Sequence, residues 1–200
     1  RVALVTGASR GIGRQVAADL AIAGYDVVCT ARSSANSPGK LPGTIDDTAQ
    51  RVREAGRRAM PVALDVRDEE GICALAARVM KEWGRCDLLV NNAAVAPPGT
   101  TVSVALKHWR LAFDVNVHGP MYFIRHFAPH MQAQGEGRIV NISSSASVEP
   151  MIDWASYMVT KAALESLTVC SAHELRPTVA VNCIRLELDV YSEGYETRIA

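Results

Sequence analysis

Apolar runs of strand length alternate along the chain with stretches that tolerate a helix. The six runs cover Val2–Thr6, Asp26–Ala31, Ala59–Leu64, Asp87–Asn91, Arg138–Ser143 and Thr178–Ile184. Strands that are hydrophobic at nearly every position are typical of a parallel sheet covered by helices on both faces. Gly24, Gly56 and Gly84 each follow a helical stretch and precede a strand, where a left-handed residue closes a helix. The pattern predicts a doubly wound α/β fold with a parallel sheet.

The length and composition fit one domain with its own core. The chain has 200 residues, of which 48% are hydrophobic, so it can bury a core without disulfides or a metal. Residues 33–43 form the one long loop rich in Ser, Pro and Gly, and no repeat or interdomain linker occurs elsewhere. We therefore expect a single domain over residues 1–200.

Charge and cysteine usage exclude several classes of function. Lys plus Arg and Asp plus Glu number 21 each, so no global field attracts nucleic acid or an anionic membrane. The sequence has no run of 18 apolar residues and no secretory leader pattern, which predicts a cytoplasmic protein without membrane contact. The 5 cysteines have no CxxC or other metal spacing, and we expect buried, reduced thiols and no metal site.

A glycine-rich loop, Thr-Gly-Ala-Ser-Arg-Gly-Ile-Gly, joins the first predicted strand to the first helix at residues 6–13. Such a loop lets backbone N–H groups and the positive end of a helix dipole approach a pyrophosphate. The alternative is that the glycines only make a tight turn. Because strand, loop and helix follow in the required order, the loop predicts a dinucleotide-binding (Rossmann) domain.

The end of the second strand carries a cation and no carboxylate. NAD-preferring sites place an acidic residue about 20 residues beyond the glycines, but Arg32 stands here instead. Arg32, together with Arg10 of the glycine loop, could pair with a 2′-phosphate. These residues favour NADP(H) over NAD(H), unless both arginines are solvated surface charges.

Tyr157 and Lys161 stand one turn apart in a predicted helix, Trp154–Glu174. Their i, i+4 spacing puts both side chains on one face, where the ammonium can lower the pKa of the phenol toward neutrality. The phenol would then serve as a general acid or base. A Tyr-x-x-x-Lys pair can also arise by chance, so its context matters.

Two further segments supply that context. Ser143, Ser144 and Ser145 end the fifth strand, where a hydroxyl could bind a developing oxyanion, although a Ser-rich turn would look the same. Pro120 has no N–H for the carbonyl of Asn116, which leaves that carbonyl able to bind a proton-relay water. The alternative for this second segment is a simple helix kink.

Taken together, these motifs resemble the short-chain dehydrogenase/reductase family from residue 1 to about residue 184. The resemblance is carried, in the family's order, by the glycine loop, Asp65-Val66, Asn91-Asn92-Ala93, Asn116, Ser144, Tyr157 and Lys161. It implies a catalytic tetrad of Asn116, Ser144, Tyr157 and Lys161. The nucleotide contacts that it implies are Gly7, Ser9, Arg10, Gly11, Ile12, Gly13, Arg32, Asp65, Val66, Asn91, Ala93, Tyr157 and Lys161.

One departure from the family concerns the segment after the sixth strand. The family usually has Pro-Gly there, beside the nicotinamide carboxamide, whereas this chain has Leu186 and Glu187. We expect residues 185–200 to form a divergent or truncated tail, without the family's last helix and strand. This departure predicts that the cofactor is enclosed differently at this end than in the family.

The expected function is that of an NADP(H)-dependent oxidoreductase that exchanges a hydride with a carbonyl or secondary alcohol. An apolar wall predicts a small hydrophobic substrate, unless its residues are ordinary packing. Its residues are Val95, Ala96, Pro97, Pro98, Val148, Met151, Ile152 and Trp154. The alternative is a regulatory protein that binds NADP(H) without turnover. A sugar-nucleotide epimerase or dehydratase is disfavoured by the glycine spacing.

Apolar residues on several faces of two predicted helices suggest a homo-oligomer. They are Phe123, Phe127, Leu164, Leu167 and Val169. The resemblance implies that these helices pair chains into a homodimer or homotetramer. The alternative is that all five belong to the core of one chain.

Overall fold

A six-stranded parallel sheet forms the centre of the computed structural model, which describes residues 1–187. The strands are β1 (Val2–Thr6), β2 (Asp26–Ala31), β3 (Ala59–Ala63), β4 (Leu88–Asn91), β5 (Gly137–Ser144) and β6 (Val179–Leu186). Their spatial order is β3-β2-β1-β4-β5-β6, and every pairing is parallel. The order runs outward from the centre in both directions, which confirms the predicted doubly wound fold.

Six α-helices connect the strands. They are α1 (Gly11–Ile22), α2 (Ile45–Glu54), α3 (Glu69–Trp83), α4 (Leu106–Phe113), α5 (Gly119–Ala133) and α6 (Ala155–Glu174). A π-helical turn, Asp114–His118, joins α4 to α5, and a short 3₁₀ turn, Ser145–Ser147, follows β5. Local sequence explains several helix ends: Thr44 and Asp47 form a capping box, and Asp68 caps α3.

The two faces of the sheet bury separate cores because successive side chains of a strand point to opposite sides. Leu4 and Leu89 pack with α3 and α5 on one face, and Val5 and Val90 pack with α1 and α2 on the other. Gly24, Gly56 and Gly84 have positive φ angles, as the sequence predicted.

The prediction that apolar residues of the last two helices face another chain is wrong for most of them. Phe123, Phe127 and Leu164 are fully buried within this chain, where the two phenylalanine rings stack 6.1 Å apart, centre to centre. Leu167 is partly buried against the same core, and Val169 is exposed. The four buried or partly buried side chains, all except Val169, therefore stabilise the fold of the single chain.

Strand β6 continues two residues beyond its predicted end at Ile184. Arg185 lies in register with Ser143, and Leu186 lies in register with Ser144. Leucine keeps the backbone N–H that proline would lack, so the parallel ladder can continue through this position. The predicted divergent tail, residues 185–200, lies outside the described residues from position 188 onward.

The cysteines differ from their predicted burial. Cys29 and Cys86 are buried, and burial raises the pKa of each thiol to about 12, but Cys73 and Cys170 are exposed and Cys183 is half-buried. Within residues 1–187, no cluster of three potential metal-binding His, Cys, Asp or Glu side chains occurs. Within the same range, no helix has the length and apolar content needed to cross a membrane.

Candidate active site

A cleft of about 1060 Å³ opens at the carboxyl ends of the strands. Segments that follow β1, β2, β3, β4 and β5 all contribute to its wall, and the strand order reverses between β1 and β4. Ligands of doubly wound folds bind at this kind of switch point. The predicted site residues on its wall are Gly7, Ser9, Arg10, Gly11, Ile12, Gly13, Arg32, Asp65, Val66, Ala93, Ser144 and Tyr157.

The glycine loop packs too closely against its neighbours to carry side chains at two positions. Gly7 has a φ of +67°, and a Cβ there would lie 2.9 Å from the Cα of Ala93. A Cβ on Gly13 would collide with the carbonyl oxygen of Gly7 and with the side-chain amide of Asn92. Glycine is therefore required at both positions, because the loop packs directly against the residues that follow β4.

Asn92 fixes this loop to the end of β4, a role that sequence reasoning missed. Its side-chain Nδ2 donates to the carbonyl oxygen of Thr6 at 2.9 Å, and its backbone N–H donates to Oγ1 of Thr6 at 3.0 Å. Asn91, which the resemblance implies as a nucleotide contact, is buried instead, and its Nδ2 donates to Oδ1 of Asn141 at 2.8 Å. The sequence signal for such a residue is an asparagine at the end of a strand. Because Asn91 and Asn92 are adjacent, this signal does not tell which of the two faces the cleft.

The hydrogen-bond donors of the glycine loop and the charge of Arg32 suit a nicotinamide dinucleotide. Helix α1 begins within the glycine loop and has no acidic residue in its first turn, so its N–H groups and dipole favour a pyrophosphate. Arg32 is exposed on the cleft wall, where a guanidinium can pair with a phosphate. Backbone shape and charge therefore both fit the predicted group.

Arg10 lies on the same wall, but the long loop engages its guanidinium. Nη2 donates to the carbonyl oxygen of Leu41 at 3.0 Å and to Oγ of Ser33 at 3.1 Å, and Nε donates to the carbonyl oxygen of Pro42 at 3.0 Å. Arg10 thus ties residues 33–43 to the glycine loop. The N–H groups of Nε and Nη2 are thus directed at that loop, which leaves Arg32 as the more open cation of the two predicted ones.

Asp65 pairs with a cation of its own, Arg67. Arg67 pairs with its carboxylate at 2.7 Å, and the hydrogen bonds from that guanidinium hold the pKa of Asp65 below its usual range. Asp65, Val66 and Ala93 all line the cleft. The carboxylate therefore stays ionised and is held in place by Arg67.

Ser144 and Tyr157 line the same cleft, and Lys161 lies behind them. The Lys161 ammonium is almost fully buried, donates to the carbonyl oxygen of Ile142 at 2.6 Å and lies 5.5 Å from the centre of the Tyr157 ring. Burial lowers the pKa of Lys161 to about 8. Oγ of Ser144 accepts a hydrogen bond from the backbone N–H of Ala146 at 3.3 Å. A phenol and a hydroxyl thus face one space, with a cation beside the phenol.

Asn116 lies in the π-helical turn, where its side chain acts as a cross-link. Its Oδ1 accepts from the N–H of Val95 at 2.9 Å, while its Nδ2 donates to the carbonyl of Val95 at 2.8 Å and to Oγ1 of Thr160 at 2.9 Å. The turn arises where Pro120 has no N–H for the Asn116 carbonyl. Asn116 is buried and supports the cleft from behind rather than lining it.

The predicted substrate wall is correct in part. Val95, Ala96, Pro97, Met151 and Trp154 line the cleft. Val148 and Ile152 do not, since 60% and 86% of their surfaces face solvent, and Pro98 is likewise outside the lining among the described residues. The turns around these residues point them outward, which their hydrophobicity alone did not reveal.

Comparisons with known proteins point to the same family as the sequence motifs. The family model of the short chain dehydrogenases matches residues 1–188. The bovine hydroxysteroid dehydrogenase-like protein 2 is 32% identical over 90% of this chain and 43% of its own length. A cis-4-hydroxycyclohexanecarboxylate dehydrogenase from Sinomonas cyclohexanicum is 36% identical over 86% of this chain and 66% of its own length. The chain thus spans less than half the length of the first of these relatives.

Solved structures agree with this assignment. A metagenomic short-chain oxidoreductase in complex with NADP is 37% identical, with a TM-score of 0.84 over 92% of this chain and 81% of the other. An NAD⁺-bound xylitol dehydrogenase is 27% identical, with a TM-score of 0.90 over 100% of this chain and 74% of the other. Similar structures therefore hold either nucleotide. With its doubly wound sheet, its glycine loop and a family match over residues 1–188, the chain belongs to the short chain dehydrogenase family.

Proposed function

We propose that this chain is an NADP(H)-dependent oxidoreductase that interconverts a carbonyl and a secondary alcohol on a small hydrophobic molecule. One observation carries the proposal: Tyr157 and Ser144 line the same cleft as the glycine loop, and the buried Lys161 ammonium lies beside the phenol. The proposed proton donor, oxyanion partner and nucleotide cradle would thereby share one space.

The side chains would divide the work by their chemistry. Tyr157 would donate its hydroxyl proton to the substrate oxygen in reduction and accept that proton in oxidation. Ser144 would donate a hydrogen bond to the same oxygen as negative charge develops on it. Lys161 would stabilise the phenolate that remains on Tyr157. The nucleotide, when bound, supplies or accepts the hydride.

The nucleotide would be held by the backbone of residues 7–13 and by Arg32, with Asp65, Val66 and Ala93 at the adenine end. Support for NADP(H) comes from Arg32 at the end of β2, from the absence of a carboxylate at that position and from the NADP-bound relative. NAD(H) remains the alternative, since the Arg10 guanidinium is engaged by the long loop.

The substrate end favours apolar molecules because Val95, Ala96, Pro97, Met151 and Trp154 all line the cleft. Two of the relatives bear names that refer to cyclic alcohols, a hydroxysteroid and a hydroxycyclohexanecarboxylate. A cyclic ketone or the matching secondary alcohol is therefore the first substrate class to test.

NADPH oxidation followed by absorbance tests the proposal, with cyclohexanone, a 3-oxosteroid and a quinone as acceptors. Tyr157→Phe should reduce turnover by about 10²–10⁴-fold while leaving NADPH binding unchanged. Tyr25→Phe, which alters a tyrosine outside the cleft wall, serves as the control. Turnover that survives in Tyr157→Phe would contradict the acid/base assignment. NADPH binding without turnover of any acceptor would favour the regulatory alternative.

We further propose a homodimer or homotetramer. Exposed apolar side chains remain on the outer surfaces of α4 and α6, with 70% of both Leu106 and Val169 open to solvent. Light scattering coupled to size-exclusion chromatography would measure the mass, and Val169→Glu should lower it. A monomeric mass for the unmodified chain would contradict this proposal.

A further inference from the structure

The carboxylate of Glu165, in the middle of α6, bonds to the end of β5, to the turn that follows β5 and to the end of β6. Its Oε1 accepts hydrogen bonds from Oγ of Ser143 at 2.8 Å and from Oγ of Ser147 at 2.6 Å. Arg185, at the end of β6, donates to Oε1 from Nε at 3.1 Å and to Oε2 from Nη2 at 2.7 Å. Helix α6, strand β5 with its following turn, and strand β6 therefore meet at one side chain.

The two serines held by Glu165 bracket Ser144 in the sequence. Ser143 is the residue before it in β5, and Ser147 ends the 3₁₀ turn that follows it. Between these anchor points Ser144 has an extended backbone, and its hydroxyl accepts from the N–H of Ala146. Because both ends of the segment share one acceptor oxygen, a shift of the Ser144 backbone would have to break a charge-assisted hydrogen bond.

Arg185 keeps that acceptor charged and in place. It pairs in register with Ser143 across the β5–β6 ladder, at a position where β6 is still paired because Leu186 follows it in place of proline. Hydrogen bonds from the guanidinium, with help from the two serines, lower the pKa of Glu165 to about 2. Glu165 is therefore an anion throughout the neutral pH range.

We propose that Glu165 is a positioning residue that fixes the hydroxyl of Ser144 in the cleft through Ser143 and Ser147. The inference rests on the proposed function for its catalytic meaning, since Ser144 is there the group that binds the developing oxyanion. Glu165 lies two turns beyond Tyr157 on α6, and thus one helix carries both the proton donor and the anchor of the oxyanion partner.

Hydrogen–deuterium exchange tests the anchor without any substrate. The amides to follow are those of Ala146, Val148 and Glu149, which bond to Ser144 or Ser145. Glu165→Ala should raise their exchange rates by about tenfold, and Glu165→Gln, which keeps the shape of the side chain, by a smaller factor. The matched control is Glu82→Gln, which breaks an exposed ion pair with Arg78 on α3. Unchanged exchange in both Glu165 variants would overturn the inference.

A double-mutant cycle tests whether Glu165 acts through Ser144. With NADPH and cyclohexanone, or the ketone that turns over fastest, Glu165→Gln should lower kcat by about tenfold and change the KM for the ketone by less than about twofold. In a Ser144→Ala background the same substitution should change kcat by less than about twofold. Equal losses in both backgrounds would overturn the inference, because a general structural defect is additive.

NADPH titration by fluorescence separates this inference from the proposed function. All Glu165 variants should keep the affinity of the unmodified chain for NADPH within about twofold, since Glu165 is not on the cleft wall. If Ser144→Ala and Tyr157→Phe leave turnover intact, the proposed function fails, while the exchange experiment still decides whether the anchor exists.

Discussion

Lys161 holds its ammonium nitrogen 5.5 Å from the centre of the Tyr157 ring, one turn away on α6, and the same nitrogen lies 2.6 Å from the carbonyl oxygen of Ile142. Only 3% of the Lys161 residue surface is exposed, so this cation is largely removed from solvent while it donates to the Ile142 carbonyl. A charge in such surroundings stabilises a nearby anion, but its burial costs folding free energy.

Lys161→Met should therefore stabilise the protein while abolishing turnover. The pKa of Lys161 is about 8 in the folded chain and near 10.5 in an unfolded one, so between these values the unfolded chain binds more protons. The cost of burying the charge is complete below pH 8 and is lost as the pH rises toward 10.5. At pH 7 the variant should gain about 1–3 kcal/mol in the free energy of unfolding.

Urea unfolding at pH 7 and at pH 9.5 measures this effect, and the gain should be smaller at the higher pH. Lys81→Met is the matched control, since Lys81 is exposed on α3. A Lys161→Met variant that is less stable than the unmodified chain at pH 7 would show that the ammonium contributes net stability.

Gly13→Ala should disrupt the nucleotide cradle. The added methyl group would meet the carbonyl oxygen of Gly7 and the amide of Asn92, which cannot both move away. We expect a loss of about 1–3 kcal/mol in the free energy of unfolding and at least a tenfold weaker affinity for NADPH, measured by fluorescence titration. Gly56→Ala is the control: its φ of +76° costs ~1–2 kcal/mol, but no atom lies within 4 Å of the new methyl group. Equal NADPH affinities in the two variants would be the contrary result.

Arg32→Asp should move the nucleotide preference toward NADH. The substitution replaces an exposed cation on the cleft wall by a carboxylate, which repels a 2′-phosphate and can accept from ribose hydroxyls. The ratio of the dissociation constants for NADPH and NADH should rise by about 10- to 100-fold, or ~1.4–2.7 kcal/mol. Arg10→Ala should change the ratio less, because the long loop already engages that guanidinium. An unchanged ratio in Arg32→Asp would exclude Arg32 as the phosphate partner.

Asn116→Ala should destabilise the wall of the cleft. The substitution removes three hydrogen bonds and leaves the N–H and carbonyl of Val95 and the hydroxyl of Thr160 without this partner. We expect a loss of about 2–4 kcal/mol in the free energy of unfolding, against about 1–2 kcal/mol for Thr160→Val, which removes one of the three bonds and the bond from Oγ1 of Thr160 to the carbonyl oxygen of Tyr157. Chemical denaturation of both variants checks the difference, and a smaller loss in Asn116→Ala than in Thr160→Val would contradict a net contribution from the Val95 contacts.

Local features of the fold follow directly from the sequence. Continuous apolar runs marked all six strands, and strands buried on both faces, as β1 and β2 are, need hydrophobic side chains at nearly every position. Gly24, Gly56 and Gly84 end helices with the positive φ that was expected of them. Tyr157 and Lys161 lie on one helix face because four residues make about one turn. Such features depend on neighbours in the chain.

Only the tertiary structure decided which partners these residues meet. Loop atoms 31 and 32 residues away engage Arg10, and Asn92 rather than Asn91 reaches the cleft. Glu165 carried no motif, yet it bonds residues from two strand ends. The sequence determined where chain elements begin and what chemistry they carry, through local propensity and hydrophobic pattern. Long-range hydrogen bonds and burial were decided by how the elements pack, because these depend on distances that no local pattern encodes.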